Sequence, residues 1–471
     1  MHVLLTLFLL LVVTGCAQNP VTGRADFVMM SEKQELALGR QADAEVKKQY
    51  VVYANPRLQE YVNRVGQALA QHSHRSGLEY HFTVLDSPEV NAFALPGGYV
   101  YITRGILAYL NSEAELAAVL GHEIGHVTAR HGVRQQSAAQ AANIGLTIAS
   151  IFLPEINTNL GRNLSNLLGG ALLSGYGRDQ EMEADRLGAE YLARTDYDPQ
   201  AIVNVIGVLK NQELQDAALA KIEGRAPRRY HGVFASHPDN EARLQQAVAE
   251  AGQKNVAQPI VARAPFLAAT NGLVFNDNVE QGVVRQNRFL QPEMGIAVQL
   301  PAGWQVHNLP DSLMAIAPQG AAQMQMKLGK QNGSPASIVR SMFNNNPAVE
   351  EITINGLSAA LLIQPTQTVA VLYHERQAYL LVGKGKDATT FEAHKAEMLA
   401  AIRSFRNLTA AERKQIKPLT LRVITAKPGD SIATLAKNSP LGQSAESYLR
   451  LVNALYPTGE PRPGDQIKII E

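Results

Sequence analysis

Apolar residues recur at helical spacing from Ser31 to Ala70, with Glu and Lys between them and a break at Asn55-Pro56, which predicts two helices. The period then changes. Tyr80 to Leu85 and Tyr99 to Thr103 are rich in aromatic and β-branched residues, and Pro96-Gly97-Gly98 supplies a turn before the second, so a small sheet is expected. Ser112, with Glu115 three residues on, matches a capping box, and Leu116, Val119 and Leu120 lead into a helix expected to run to about His131. From Val133 to Gly177 two apolar stretches are separated by Pro154 and Asn157-Thr158-Asn159. Each falls short of the roughly 20 residues that cross a bilayer, and the pair reads as two helices packed near the site or as a hairpin dipping into a membrane. Charged helices are expected at Arg178 to Arg194 and at Pro199 to Leu219.

Gly252 to Asn278 has the character of a loop. Gly295 to Leu300, followed by Pro301, Gly303 and Trp304, opens a β-rich region that closes with a helix-like stretch from Phe391 to Phe405. Arg422-Val423, Gly429-Asp430-Ser431-Ile432, Leu435-Ala436, Asn453 and Pro463-Gly464-Asp465-Gln466-Ile467-Lys468-Ile469 resemble a LysM-type module, although Asn438 to Leu451 is longer and less regular than a tight repeat. At 471 residues, two to four domains of roughly 100 to 200 residues are expected. The predicted architecture is α+β and multidomain: a mainly helical domain with a small sheet at 31–255, an α/β module at 275–408 and a small LysM-like module at 419–471.

The first residues read differently. Val3 to Val13 form an apolar stretch of signal-peptide length ending in Val13-Thr14-Gly15-Cys16, which resembles a bacterial lipobox, although only His2 stands where Lys or Arg is usual. Residues 1–15 are thus expected to be a lipoprotein signal peptide, Cys16 the lipidated residue and 16–30 a tether. A plain cleaved signal or a buried N-terminal helix are the alternatives. Ala17 after the cysteine implies, by resemblance to the Gram-negative sorting pattern, a periplasmic protein anchored to the outer membrane. Cys16 is the sole cysteine, so the chain forms no internal disulfide. Forty-three Lys plus Arg against forty-two Asp plus Glu give a formal charge of +1, which carries no electrostatic footprint for nucleic acid.

The chemistry sits on the predicted helix that starts near Ser112. His122-Glu123-Ile124-Gly125-His126 places two imidazoles four residues apart, on one helix face, where they can share a zinc ion with Glu123 beside them. By chance an HExxH string is expected roughly 0.02 times in a chain of this composition, so surface histidines are the weaker reading. A catalytic zinc takes a third protein ligand and keeps an open position.

Four segments supply a resemblance: Asn91-Ala92-Phe93-Ala94-Leu95-Pro96-Gly97-Gly98, the HEIGH string, Glu181-Met182-Glu183-Ala184-Asp185, and His237-Pro238 with Arg243. Together they resemble the gluzincin metalloendopeptidases, the family of the bacterial proteases HtpX and BepA and of the eukaryotic CAAX prenyl endopeptidase. The resemblance covers about residues 30 to 250. It implies one zinc per chain held by His122, His126 and Glu181. Glu123 then acts as the base on the water that zinc acidifies, and Asp185, one helical turn after Glu181, bonds the free ring nitrogen of a ligand histidine. Glu183, projecting to another side of that helix, is the nearest competitor for Glu181 and ranks below it. His131 reads as a structural histidine at a helix end. Asn91, Ala92 and Phe93 resemble the edge strand that pairs with an extended substrate, the alternative being an ordinary sheet strand. Three roles stay open for His237: donor to the oxyanion formed on the substrate, occupant of the fourth zinc position that latches the site, or cap of the following helix with Arg243.

The expected function is zinc-dependent hydrolysis of peptide bonds in unfolded or misassembled envelope proteins. The competing expectation is a chaperone-like or glycan-binding lipoprotein with a latent zinc site. The expected partners are those substrates, the membrane through the N-terminal lipid, and peptidoglycan or an envelope protein through the C-terminal module.

Overall fold

The computed structural model describes residues 16–138, 176–223, 246, 249 and 256–471, apart from 286, 310–311 and 345–346. The expected signal peptide at 1–15, most of the apolar stretch after Val133, and His237 lie outside the described residues. Two compact units are present. The first takes the described residues of Met1–Gln215, Arg229–Leu273 and Thr420–Glu471; the second takes those of Asp216–Arg228 and Val274–Leu419.

In the first unit a short hairpin, β1 (Cys16–Gln18) and β2 (Ala25–Phe27), precedes two helices, α1 (Glu32–Gln49) and α2 (Pro56–Gln71). Ser31 caps α1 in a full capping box with Gln34, and Asn55 caps α2 with Pro56 as its first residue, so the Asn-Pro pair both ends one element and starts the next. The small sheet has the order β3 (His81–Leu85), β5 (Tyr99–Thr103), β4 (Ala92–Leu95). β3 runs parallel to β5 and β4 antiparallel to it, which makes β4 an edge strand of the described sheet.

β5 runs straight into α3 (Arg104–Tyr109), and α4 (Glu113–Thr128) follows. Ser112 caps α4 through the Glu115 N–H at 3.1 Å, while the Glu115 carboxylate accepts from Asn111 N at 2.6 Å instead of from the cap residue. All residues of α4 are buried, polar ones included, so each polar group needs a partner. Glu113 has three: the hydroxyls of Tyr61 and Tyr197, each at 2.5 Å, and the Arg64 guanidinium at 2.8 Å.

α5 (Arg178–Arg194) lies across α4, with α6 (Gln200–Glu223) beyond it in sequence. The crossing is made by glycines. A Cβ on Gly125 would come within 3.0 Å of Ala184 O, and one on Gly188 within 3.1 Å of His122 N. Gly121 faces Gly188 at the same crossing. This close approach puts the acidic face of α5 against the histidine face of α4.

The stretch expected as loop near Gly252 to Asn278 holds a further helix, α7 (Arg263–Thr270), whose Phe266 and Leu267 are fully buried. The chain returns to this unit at residue 420, where Leu421 exchanges backbone hydrogen bonds with Gly272 and Leu273 at 2.7 and 2.8 Å. The C-terminal segment contains an antiparallel pair, β6 (Leu419–Thr425) and β7 (Gln466–Ile470), and between them the amphipathic α8 (Ala445–Val452). Lys468 is buried at 1% exposure and donates from Nζ to Ala108 O at 2.7 Å and Leu110 O at 2.8 Å. Arg263 ties the same corner, donating to Asn111 O and Gln466 O.

The second unit differs from the expected α/β module. Its seven-stranded sheet, in the order Gln305–Leu309, Ser312–Ile316, Ala322–Lys330, Gln377–Gly385, Gln367–His374, Leu357–Ile363, Glu350–Ile354, is antiparallel throughout. The four strands from Glu350 to Gly385 follow one another through short turns, as at the left-handed Asn355-Gly356 pair, and a hairpin can only return antiparallel; Ala322–Lys330, followed by the helix Pro335–Ser341, joins them by pairing with Gln377–Gly385. The helix Ala388–Arg403 buries Phe391, Met398, Ala401 and Ile402 in its core. The organisation of the chain is thus α+β and multidomain.

Candidate metal centre

α4 and α5 together carry the centre. His122 Nε2 and His126 Nε2 lie 3.0 Å apart, and each is 3.5 Å from an oxygen of Glu181, Oε2 for the first and Oε1 for the second. All three residues are buried, Glu181 completely. Four ligands placed tetrahedrally at about 2.0–2.1 Å around one cation are separated by about 3.3–3.4 Å, so the three atoms fit the spacing of a zinc site.

The hydrogens support this. His122 Nδ1 is 2.7 Å from Asp185 Oδ1, and a carboxylate only accepts, so the ring proton sits on Nδ1 and Nε2 offers a lone pair. His126 Nδ1 is 2.8 Å from His131 Nδ1, and His131 Nε2 is 3.1 Å from Glu183 Oε2. Burial holds the His131 imidazole below its ordinary range, against the pull of Glu183. The hydrogen bond from His131 holds the Glu183 carboxyl below its ordinary range, against burial. A neutral His131 donating to Glu183 must accept at Nδ1, which leaves His126 Nε2 with its lone pair as well. Two imidazole lone pairs and a carboxylate facing one another at these distances call for a cation.

A family comparison decides its identity. Residues 56–251 match the model of peptidase family M48. The chain carries an M48 zinc metalloendopeptidase domain. The beta-barrel assembly-enhancing protease of Yersinia pestis is 28% identical over 392 residues, 76% of this chain and 77% of that protein. That of Escherichia coli K12 is 30% identical over 241 residues, 50% of this chain, and the match spans only about half of the relative, 47%. Mitochondrial metalloendopeptidase OMA1 of Schizosaccharomyces pombe is 32% identical over 232 residues, 48% of this chain and 64% of that protein.

Within the M48 domain His122, Glu123 and Asp185 line a cleft whose other walls are apolar: Ala92, Ile106, Val119, Ile202, Ile206 and Leu209 among them. Ala92 is buried there, at the start of the edge strand. Asn91 O accepts from Thr103 N at 3.0 Å, and by the alternation of an antiparallel ladder the backbone groups of Ala92 and Ala94 face away from β5, toward the free edge. Phe93 stacks on Tyr101, its cross-strand partner, with ring centroids 4.9 Å apart. Cys16 lies far along the chain from the centre, with its backbone paired to Phe27. Among the described residues no helix is long and apolar enough to cross a membrane.

Two features escape sequence reasoning. α4 ends at Thr128, short of the expected His131, because Arg130 adopts the left-handed region at φ 56° and turns the chain into a new helical segment at 131–138. A non-glycine residue there costs about 1–2 kcal/mol, and the buried Glu35 carboxylate holds it, accepting from Arg130 Nε at 2.9 Å and from Arg75 Nη1 at 2.6 Å. The turn also converts His131 from a helix-end residue into a neighbour of His126. Only contacts distant in sequence could have revealed it.

Proposed function

We propose that this chain is an envelope endopeptidase acting on unfolded or misassembled proteins, with His122, His126 and Glu181 as the zinc ligands. The observation that carries this is the convergence of those three side chains beside Glu123 at the wall of an apolar cleft. Zinc bound there supplies Lewis acidity toward water and the scissile carbonyl. Glu123 takes the proton of the attacking water and delivers it to the leaving amine, so no covalent acyl intermediate forms. Asp185 holds His122 in the tautomer that ligates. Asn91 leads into the edge strand, which Ala92 and Phe93 begin; the outward backbone groups of Ala92 and Ala94 offer a ladder to an extended segment, and the apolar cleft walls suit an apolar side chain next to the scissile bond. Folded proteins do not present such a segment; unfolded ones do.

The similar proteins named beta-barrel assembly-enhancing protease support an envelope setting. Anchoring at the outer membrane through Cys16, contact with peptidoglycan or an envelope protein through the LysM-like segment 419–471, and gating of the site by His237 belong to the same reading and rest on the sequence patterns. The test is cleavage of an unfolded model protein by the zinc-loaded full chain, with Glu123→Gln as control. Cleavage that a chelator abolishes and zinc restores is expected. A zinc-replete wild type that leaves the substrate intact, or a Glu123→Gln variant as fast as wild type, overturns the reading.

A further inference from the structure

α5 directs Glu181 and Asp185 at α4, and Glu183 at the segment that follows it. Glu181 faces the two imidazole nitrogens, and Asp185 bonds His122 directly. Glu183 touches neither ligand histidine in this way; its carboxylate accepts from His131 Nε2, and His131 Nδ1 in turn accepts from His126 Nδ1. We infer that His131 and Glu183 are a positioning pair that fixes the ring orientation and tautomer of His126, as Asp185 does for His122.

The surroundings are built for this. His131 is completely buried and its ring meets the His126 ring edge-on, with centroids 5.0 Å apart. On its other side His126 is stacked by Tyr176 at 4.0 Å, so the ligand ring is held from two directions. His131 reaches this place only because Arg130 is held in the left-handed region by Glu35, itself fixed by Arg75. A glycine could end α4 without either arginine, but a buried Glu35 ion cluster locks one path for the chain. Arg134 lies 3.4 Å from the same Glu183 oxygen, which orients that carboxylate toward His131. One helix thus supplies a ligand and the bracing of both histidines.

The inference rests on the ligand set proposed above, and three zinc-affinity measurements on the full chain, by chelator competition, separate the two. His126→Ala should lose zinc binding at stoichiometric protein. His131→Ala should weaken it 10- to 100-fold and Glu183→Ala about 10-fold, the range for outer partners of a ligand histidine. His131→Asn keeps an acceptor where Nδ1 stood and should recover part of the loss. In zinc-loaded protein carrying ¹⁵N-histidine, the wild-type His126 ring should show a protonated Nδ1 and a metal-bound Nε2, and His131→Ala should broaden or shift that pair. Zinc retained by His126→Ala overturns the ligand set. Zinc lost by His126→Ala but bound at wild-type affinity, with an unchanged His126 spectrum, by His131→Ala and Glu183→Ala overturns the positioning pair. Should His131→Ala fail to fold, Glu183→Ala, altered at a partly exposed side chain, decides alone.

Discussion

Two corners of the first unit bury charged side chains side by side, and they resolve that burial in opposite ways. At the C-terminal corner the Lys468 ammonium meets the carbonyls of Ala108 and Leu110, Asn453 bridges the backbone N–H and carbonyl of Lys468, and Glu115 accepts from Asn111. Donors find acceptors within the protein. Burial nevertheless pushes Lys468 well below its ordinary range and Glu115 above its own. At the metal corner the Nδ1 atoms are satisfied while the two Nε2 atoms and Glu181 converge as acceptors on one point. Burial alone therefore does not mark a functional site; a surplus of acceptors aimed at one place does.

The comparison can be broken at four points. The largest effect is expected from Glu181→Ala, which removes the carboxylate from that convergence: zinc binding should fall by at least 100-fold and cleavage should vanish, as followed by metal analysis and turnover of an unfolded substrate. A variant that still holds one zinc after dialysis would break the acceptor-surplus argument. Glu123→Gln comes next. It changes the acid that touches the reacting water and leaves the convergent atoms alone, so turnover should drop roughly 10²- to 10⁴-fold with zinc affinity intact.

At the other corner Lys468→Met keeps the length of the side chain and strands two buried carbonyls, at about 1–3 kcal/mol each. Thermal melting should move down, with zinc affinity unchanged; a variant as stable as wild type would mean the corner is not closed by this lysine. The smallest effect concerns Glu89, a carboxyl that burial alone pushes up to about 7. Its folded-state value lies above the unfolded one, so the contribution is fully present below about pH 4.5 and is lost as pH rises through 7, by about 3 kcal/mol at most. Glu89→Gln should flatten the stability profile over that window in chemical denaturation at pH 5, 6, 7 and 8.

Much of this was legible from local pattern. Ser31 and Asn55-Pro56 mark helix starts that the structure keeps, and the HEIGH spacing alone puts both imidazoles on one face of α4. For the acidic string of α5 the family resemblance, not the local pattern, singles out Glu181; in the structure Glu181 lies 3.5 Å from both imidazoles and Asp185 bonds His122. What escaped depends on residues far apart in the chain. The role of Glu183 and His131 hangs on a turn at Arg130 held by Glu35, 95 residues away. Gly125 and Gly188 have their place because two helices touch at them, a contact between residues distant in the chain. The helix α7 hides in a stretch punctuated by Gly and Pro, because Phe266 and Leu267 find their core in other elements.

The Lys468 contact also sets an order in time. Its ammonium reaches back 360 residues to Ala108 O. A ribosome adding roughly 5–20 residues per second needs roughly 18–72 s to cover that distance, and until Lys468 emerges the carbonyls at the end of α3 have only water to bond. The helix bearing both imidazoles starts a few residues later, so this support before its N-terminus is synthesised long after the helix itself. All three residues of the metal corner, the last of them Glu181, are therefore synthesised long before the Lys468 corner can close, so its closure adds stability to the unit without deciding when the ligands are in place.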